Sequence, residues 1–259
     1  MKITIQPIKA FSDNYIWTLI NDTNKQAIVI DPGQSEPVAA FLNEHDLDLT
    51  AIWTTHHHFD HTGGVAELRE HFPMTHVVAH AEHGVDPDQT IKDGSSVNAW
   101  GASGQVWDIS GHTNHHMAYV LDIDNQKHVF CGDTLFSAGC GRVFTGTIEQ
   151  LYNSFKRLNT LPEDTLLYPA HEYTANNLRF GLSIEPHNIA MQAALEIAQE
   201  KTKHGKPTLP VTLAHERKVN VFLRTDSLEV IAGVKAKMNL VDEKPLTVFA
   251  ALRELKDNF

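Results

Sequence analysis

Short apolar runs alternate with amphipathic segments along the first two-thirds of the chain. The runs are rich in β-branched and aromatic residues, which is typical of buried strands. The predicted strands are Tyr15–Ile20, Ala27–Ile30, Ala51–Thr55, His76–Ala79, Val106–Ile109, Met117–Asp122, His128–Cys131 and Leu166–Tyr168. The helices predicted between them are Glu36–His45 after a Ser35 cap, Gly64–His71, and Ile148–Leu158 after a Thr147 cap. This interleaving predicts an α/β domain in which helices cover the faces of sheets.

The pattern changes near residue 172, beyond which helical periodicity dominates. The helices predicted there are Ala175–Ile184, Asn188–Lys203, Ser227–Met238 after an Asp226 cap, and Leu246–Lys256 after Pro245. We therefore predict two domains, an α/β domain over residues 1–172 and an α-helical domain over residues 173–259.

Composition narrows the class of protein. The 259 residues are 42% hydrophobic and carry a net charge of −11, which argues against a nucleic-acid groove or an anionic membrane as partner. Cys131 and Cys140 are the only two cysteines, which excludes a disulfide framework and favours a reducing compartment. The sequence shows neither a signal peptide nor a run of about 20 apolar residues. We expect a soluble, cytoplasmic, monomeric protein.

Histidine is frequent and clustered, with 17 residues in the chain. The segment THHHFDH at residues 55–61 directly follows a predicted strand, where α/β folds place ligand-binding loops. Its candidate metal ligands, spaced H-x-H-x-D-H, are His56, His58, Asp60 and His61. In an extended segment His56 and His58 point the same way, whereas Asp60 and His61 point apart. One loop can therefore serve two metal ions.

Further ligand types follow later predicted strands. They are His112 in SGHT, Asp133 in CGDT and His171 in PAHEYT. Five histidines and two aspartates can supply two metal ions if one carboxylate bridges them. A histidine-rich metal-buffering protein would not need the strand-end aspartates Asp60 and Asp133.

The motif order T-H-x-H-x-D-H, G-H-T, G-D-T and H-E-Y-T resembles the metallo-β-lactamase superfamily and, within it, the glyoxalase II (hydroxyacylglutathione hydrolase) family. The likeness extends from Ser12–Tyr15 through Gly139–Arg142 to Lys256–Phe259. It implies a metallo-β-lactamase-like αββα sandwich with a binuclear metal centre and an α-helical, glutathione-binding C-terminal domain.

The resemblance also implies roles for the ligand candidates. It assigns His56, His58 and His112 to a first metal, Asp60, His61 and His171 to a second, and Asp133 as the bridge, with Asp60 and Asp133 as catalytic carboxylates. Two divalent ions are expected, zinc first, with iron or manganese also compatible. The hydroxide that they share is the expected nucleophile, since the chain has no G-x-S-x-G, S-x-x-K or H-E-x-x-H motif.

The implied reaction is hydrolysis of the thioester S-D-lactoylglutathione to D-lactate and glutathione, the second step of methylglyoxal detoxification. A thiol with a pKa of about 8.5 leaves without much help from a general acid. The resemblance assigns the glutathione contacts to Arg142, Phe144, Tyr173, Arg253 and Lys256. By themselves, Arg253 and Lys256 are more typical of a solvated last helical turn.

Other points stay open in the sequence. Asp31, in an I-D-P-G segment at a strand end, can orient a ligand imidazole or simply form the turn. Departures from the family pattern are Ser110, His115 and Thr145, none of which removes a ligand. A mononuclear persulfide dioxygenase would not need the second ligand set. A lactonase or β-lactamase is disfavoured by the C-terminal helices.

Overall fold

The computed structural model describes residues 2–259, which divide into two compact units. The first unit runs up to Asp108 and resumes over His115–Gly132, and the second comprises Ile109–Asn114 and Asp133–Phe259. This division follows packing contacts. The predicted domain boundary between residues 172 and 173 stays a prediction.

Over the residues that the structure describes, the first unit contains ten strands and three α-helices. In chain order they are β1 (Ile3–Ala10), β2 (Asn14–Asn21), β3 (Gln26–Ile30), α1 (Glu36–His45), β4 (Asp48–Trp53), α2 (Phe59–Thr62), α3 (Val65–His71), β5 (His76–Ala79), β6 (Gln89–Thr90), β7 (Ser96–Ala99), β8 (Ala102–Asp108), β9 (Met117–Ile123) and β10 (Gln126–Gly132). A short 3-10 turn spans Ala81–His83.

These strands form two sheets. In the first, β1, β2 and β3 pair antiparallel, and β3 to β6 pair parallel in the order of the chain. In the second, β7 to β10 form an antiparallel meander. The Trp53 and Tyr119 rings stack at 4.8 Å between the sheets, and the Tyr119 hydroxyl donates to the Thr54 carbonyl at 2.9 Å. A helix layer and two sheet layers of the predicted sandwich therefore lie in this unit.

The helices cover the other face of the first sheet. Val38 and Leu42 of α1 and Leu68 of α3 are fully buried in one apolar cluster with Ile52 of β4 and Val77 of β5. Parallel strands buried on both faces account for the continuous apolar runs in the sequence. The same arrangement places the end of β4, and the histidine-rich loop that follows it, at one edge of the sheet.

The second unit is mainly helical. Its elements are β11 (Leu135–Phe136), β12 (Gly139–Cys140), α4 (Ile148–Leu158), β13 (Leu166–Pro169), α5 (Thr174–Ile184), α6 (Ile189–Lys203), β14 (Val211–Thr212), α7 (Leu213–Val219), α8 (Leu228–Lys235) and α9 (Pro245–Asp257). Phe155, Phe222 and Phe249 form its aromatic core, with Phe249 5.3 Å from each of the other two rings. Within residues 2–259, no helix is both long and apolar enough to span a membrane.

The predicted helices are confirmed, and two of their caps differ. Thr147 accepts a hydrogen bond from the Gln150 amide as expected, whereas Ser35 makes no side-chain cap. The cap of α8 is Ser227 and not Asp226, because the Ser227 hydroxyl accepts from Val230. Helix α7 and strands β1, β6, β7, β11, β12 and β14 were not predicted, and α8 ends at Lys235 rather than at the predicted Met238.

Candidate metal centre

The loop after β4 carries the ligand candidates of the first unit. His56 and His61 are buried, and His58 and Asp60 are half-buried. His56 lies in a bend and His58 in extended chain, with Nε2 of His56 3.0 Å from Nδ1 of His58. The expectation that Asp60 and His61 point apart is wrong, because both lie in the short helix α2, and Oδ2 of Asp60 is 3.3 Å from Nε2 of His61.

Asp31 supports this loop from the end of β3. One of its oxygens accepts from the Thr55 amide at 2.7 Å, and the other accepts from the Thr55 hydroxyl at 2.7 Å and lies 3.1 Å from Nδ1 of His61. A proton on Nδ1 leaves Nε2 of His61 as the nitrogen that faces Asp60. Asp31 is also a turn residue, with a left-handed φ of 56° before Pro32. Asp31 thus both contacts the His61 imidazole and forms the turn, and its role toward a metal ligand stays a prediction.

Sequence reasoning gave no role to two residues that order this loop. Asn14 Nδ2 donates to Oδ2 of Asp60 at 3.0 Å, and the buried His116 ring stacks on His56 at 4.6 Å. Asn14 belongs to the Ser12–Tyr15 segment that carries part of the family likeness. This part of the family likeness was the sequence feature that could have indicated a role for Asn14 near Asp60.

The second unit carries His112, Asp133 and His171, all buried. Oδ2 of Asp133 lies 3.7 Å from Nε2 of His112, and Oδ1 lies 3.3 Å from Nε2 of His171. Each oxygen of one carboxylate therefore faces a different imidazole. Asp133 therefore lies between His112 and His171, with one oxygen toward each ring.

Backbone contacts set the orientation of His112. Its Nδ1 is 2.7 Å from the Arg142 carbonyl, which leaves Nε2 toward Asp133, and its carbonyl accepts from the Phe144 amide at 2.9 Å. Gly141 makes this packing possible, because a Cβ there would lie 1.9 Å from the Asp133 carbonyl oxygen and 3.2 Å from Nδ1 of His112.

Aromatic candidates for substrate contact lie beside these ligands in the second unit. The Tyr173 ring stacks on His171 at 4.8 Å with an interplanar angle of 10°. The Phe144 ring meets His112 edge-on at 5.2 Å and is 62% exposed. The exposed Phe144 ring is therefore accessible beside the ligand candidate His112.

The cationic candidates differ in exposure. The Arg142 side chain is mostly exposed, and its Nε is 3.2 Å from Oδ1 of Asp257. Arg253 is 4% exposed, contrary to a solvated last turn, and it donates to the Cys140 carbonyl at 2.7 Å and to the same Asp257 oxygen at 3.1 Å. The Lys256 ammonium lies 5.3 Å from the Phe180 ring centre.

The pKa of the Lys256 ammonium group is shifted from its ordinary value. Partial burial, and then the nearby Arg253 and Arg142 guanidinium groups, lower its pKa to about 8. Its charge therefore changes within an experimentally accessible pH range.

The departures from the family pattern have local partners. The Thr145 hydroxyl accepts from the Asn114 amide at 3.2 Å, and the Ser110 hydroxyl donates to the Asn114 carbonyl at 2.7 Å. The His115 ring stacks on His80 at 4.6 Å, and its carbonyl lies 2.8 Å from Nε2 of His83. Each of these side chains therefore has a structural function.

Comparison with known proteins identifies the family. The metallo-beta-lactamase superfamily model matches residues 16–171, and the hydroxyacylglutathione hydrolase C-terminus model matches residues 172–259. The chain is 49% identical over its full length to the hydroxyacylglutathione hydrolase of Neisseria meningitidis serogroup A, all of which it covers. The chain belongs to the hydroxyacylglutathione hydrolase family.

A second curated family member, the hydroxyacylglutathione hydrolase of Vibrio cholerae, is 46% identical over 99% of this chain and 100% of its own. The crystal structure of ETHE1 from Myxococcus xanthus matches with a TM-score of 0.65 at 27% identity, covering 99% of this chain and 98% of that one. The BLEG-1 B3 metallo-beta-lactamase shares the fold, with a TM-score of 0.63 over 86% of this chain and 99% of its own at 21% identity. The predicted α/β metallo-β-lactamase fold with a helical C-terminal region is thus confirmed.

Proposed function

We propose that this protein is a metal-dependent thioester hydrolase that cleaves hydroxyacyl derivatives of glutathione, with S-D-lactoylglutathione as substrate and D-lactate and glutathione as products. The observation that carries the proposal is the pair of imidazoles on opposite oxygens of Asp133, within a chain whose full-length relatives bear the name hydroxyacylglutathione hydrolase.

The ligand assignment follows the donor chemistry of each unit. We assign His56, His58 and His112 to one divalent ion, Asp60, His61 and His171 to the other, and Asp133 to both. Imidazole nitrogen with carboxylate oxygen suits zinc, and also iron or manganese. In the first unit, one donor atom from each of Asp31, His56 and His61 lies within 4.8 Å of the others, so these residues are already gathered. Asp31 serves as an orienting residue, because it holds Nδ1 of His61.

Two such ions would supply an activated water at neutral pH and a Lewis acid for the thioester carbonyl. The protein's part is to fix the ligands. Asp31 holds His61 in one orientation, and the Arg142 carbonyl holds His112 in one orientation. Asn14 holds the Asp60 carboxylate in place. Fixed ligands reduce the reorganisation required during the reaction.

Glutathione brings two carboxylates to a protein with a net charge of −11, so binding requires local cations. We propose Arg142 and Lys256 as the cations that reach the substrate, with Phe144 and Tyr173 lining the approach. Arg253 supports the same surface through its bond to the Cys140 carbonyl. Its direct contact with glutathione stays a prediction.

The test follows the thioester absorbance of S-D-lactoylglutathione together with the metal content of the purified protein. We expect hydrolysis with about two metal ions per chain, both lost in Asp133→Ala. Asp86→Asn is the control, because the Asp86 side chain is fully exposed. A wild-type protein that retains metal but leaves this thioester intact would contradict the proposed substrate. Lactones and persulfides would then be the next compounds to assay.

A further inference from the structure

Glu216 is a fully buried acid in helix α7, in the second unit. One of its oxygens accepts from the Ser137 hydroxyl at 2.9 Å, and the other accepts from the Ala138 amide at 2.8 Å and from Asn220 Nδ2 at 2.9 Å. Burial raises the pKa of the carboxyl to about 7, and these donors partly oppose the rise. An acid buried at this cost, in a helix that takes no part in metal binding, calls for a role.

Two of these three bonds come from the β11–β12 hairpin, and the third comes from Asn220, which itself bonds to the hairpin. Ser137 and Ala138 form its tip, and Ala138 adopts a left-handed φ of 56°, which is unfavourable for a residue with a Cβ. Asn220 Nδ2 also donates to the Gly139 carbonyl at 3.0 Å, and Asn177 Nδ2 donates to the Ser137 carbonyl at 3.0 Å. The tip is therefore held in a strained conformation by buried polar side chains from α5, α7 and the residue after α7.

The hairpin connects the proposed metal bridge to the proposed substrate surface. It begins two residues after Asp133 and ends two residues before Arg142. Its Phe136 ring meets the His171 ring edge-on at 5.8 Å and the Tyr173 ring at 5.0 Å. Its Cys140 carbonyl accepts from Arg253 at 2.7 Å. A shift of the hairpin would therefore move a ligand imidazole, an aromatic contact and a cation together.

From these contacts we infer that Glu216 is a positioning residue, which fixes the β11–β12 hairpin and thereby positions Arg142 and Tyr173 of the proposed substrate surface and its supporting residue Arg253. The expected effect of Glu216 on thioester hydrolysis rests on the proposed function. The structural part of the inference, the order of the hairpin, is independent of what the enzyme hydrolyses.

The conservative variant is Glu216→Gln. Its amide oxygen can accept from the Ala138 and Asn220 donors, and its amide nitrogen can donate to the Ser137 hydroxyl, which rotates to accept. Glu216→Ala removes every acceptor and leaves buried donors unsatisfied. The matched control is Glu185→Ala, because Glu185 is another buried acid of the same unit, paired with Arg224 at 2.6 and 2.9 Å, and has no bond to the hairpin.

The experiment measures kcat, KM for S-D-lactoylglutathione, bound metal per chain, melting temperature and hydrogen exchange of the peptide over residues 133–144. We expect Glu216→Ala to lower kcat/KM about tenfold, chiefly through KM, and to speed exchange in this peptide. Glu216→Gln should restore both to within about threefold. Glu185→Ala should lower the melting temperature but leave KM and the hairpin exchange unchanged.

Two results would overturn the inference. The first is unchanged kcat/KM and unchanged exchange in Glu216→Ala, and the second is an equal rise of KM in Glu185→Ala. If Glu216→Ala does not fold, Ser137→Ala replaces it, because it removes one donor and leaves the carboxylate, with the same direction of change expected. A wild-type protein inactive on the thioester would refute the proposed function alone, and the exchange data would still decide the role of Glu216.

Discussion

Asp31 and His61 form a buried carboxylate–imidazole pair, with Oδ2 of Asp31 3.1 Å from Nδ1 of His61. The same oxygen also accepts from the Thr55 hydroxyl, so its position is fixed from two directions. A carboxylate in this position selects the tautomer of the imidazole and increases its basicity as a ligand. The pair therefore links the end of β3 to His61, whose Nε2 faces Asp60.

We predict that Asp31→Asn lowers metal affinity and activity by about 10- to 100-fold. Oδ2 of Asp31 accepts hydrogen bonds from His61 and Thr55. An amide nitrogen in its place is a donor and cannot accept them. Asparagine tolerates the left-handed φ at this position, so the backbone contributes little to the loss. Metal content after dialysis against a weak chelator, together with the rate of thioester hydrolysis, measures the effect.

The control for this prediction is Asp46→Asn. Asp46 has the same kind of backbone, with φ of 54°, but it is exposed at the end of α1. It should retain metal and activity. Full metal occupancy and full activity in Asp31→Asn would show that the contact with His61 has no bearing on the centre.

We predict that Gly141→Ala destabilises the protein by about 1–3 kcal/mol and lowers its metal content. The new Cβ would meet the Asp133 carbonyl, which is backbone and has to move. A displaced Asp133 no longer presents its oxygens to both imidazoles. Thermal unfolding and metal analysis test this.

Gly84→Ala provides the comparison, because Gly84 has a φ of 73° but open space where a Cβ would lie. Backbone strain alone costs about 1 kcal/mol there, and metal content should be unchanged.

We predict that KM for the anionic thioester rises above about pH 8 in the wild-type protein. The pKa of Lys256 is lowered to about 8 by burial and by neighbouring guanidinium groups, so its charge is lost as the pH passes that value. Lys256→Arg keeps its charge and should remove this rise, whereas Lys256→Met should raise KM about tenfold at neutral pH.

The measurement is KM between pH 6.5 and 9.5, chosen to bracket the lowered pKa. Lys201→Met, in the last turn of α6, is the control for loss of a distant positive charge. An equal rise of KM with pH in wild type and Lys256→Arg would assign the dependence to another group.

The ligand candidates were predictable because each stands in a short motif directly after a strand. The local geometry was less predictable. Residues 55–61 were expected to be extended, but α2 is a helix of four residues, too short to show periodicity. The two-residue strands β11 and β12 are likewise too short to show alternation.

The polarity of a charged residue does not reveal that the residue is buried in the folded protein. Arg253 was interpreted as more typical of a solvated helical turn and Glu216 was given no role, yet both are buried with hydrogen-bonded partners. Strand β1 was missed because Pro7 interrupts its pattern. It forms one edge of the first sheet and pairs only with β2, where proline is tolerated. The hairpin partners of Glu216 and Arg253 lie far away in the sequence, and periodicity carries no information about them.

His83 is a buried histidine outside the metal ligands. It lies 2.8 Å from the Thr54 hydroxyl through Nδ1 and 2.8 Å from the His115 carbonyl through Nε2. Burial lowers its pKa to about 4, opposed by the bond to the His115 carbonyl and assisted by His80, His57 and His115. The unfolded chain therefore binds a proton near pH 6.5 that the folded chain accepts only near pH 4.

It follows that His83 contributes stability above about pH 6.5 that is lost as the pH falls toward 4. We predict that His83→Gln destabilises the protein at pH 7.5 by about 1–3 kcal/mol, through loss of its hydrogen bonds. At pH 5 the gap between variant and wild type should narrow, since only the wild type has a buried imidazole to protonate. Melting temperatures of both proteins across this range measure the gap. His71→Gln removes an exposed imidazole from α3 and serves as the control. A gap that stays constant with pH in His83→Gln, or narrows equally in His71→Gln, would show that burial of His83 does not govern acid stability.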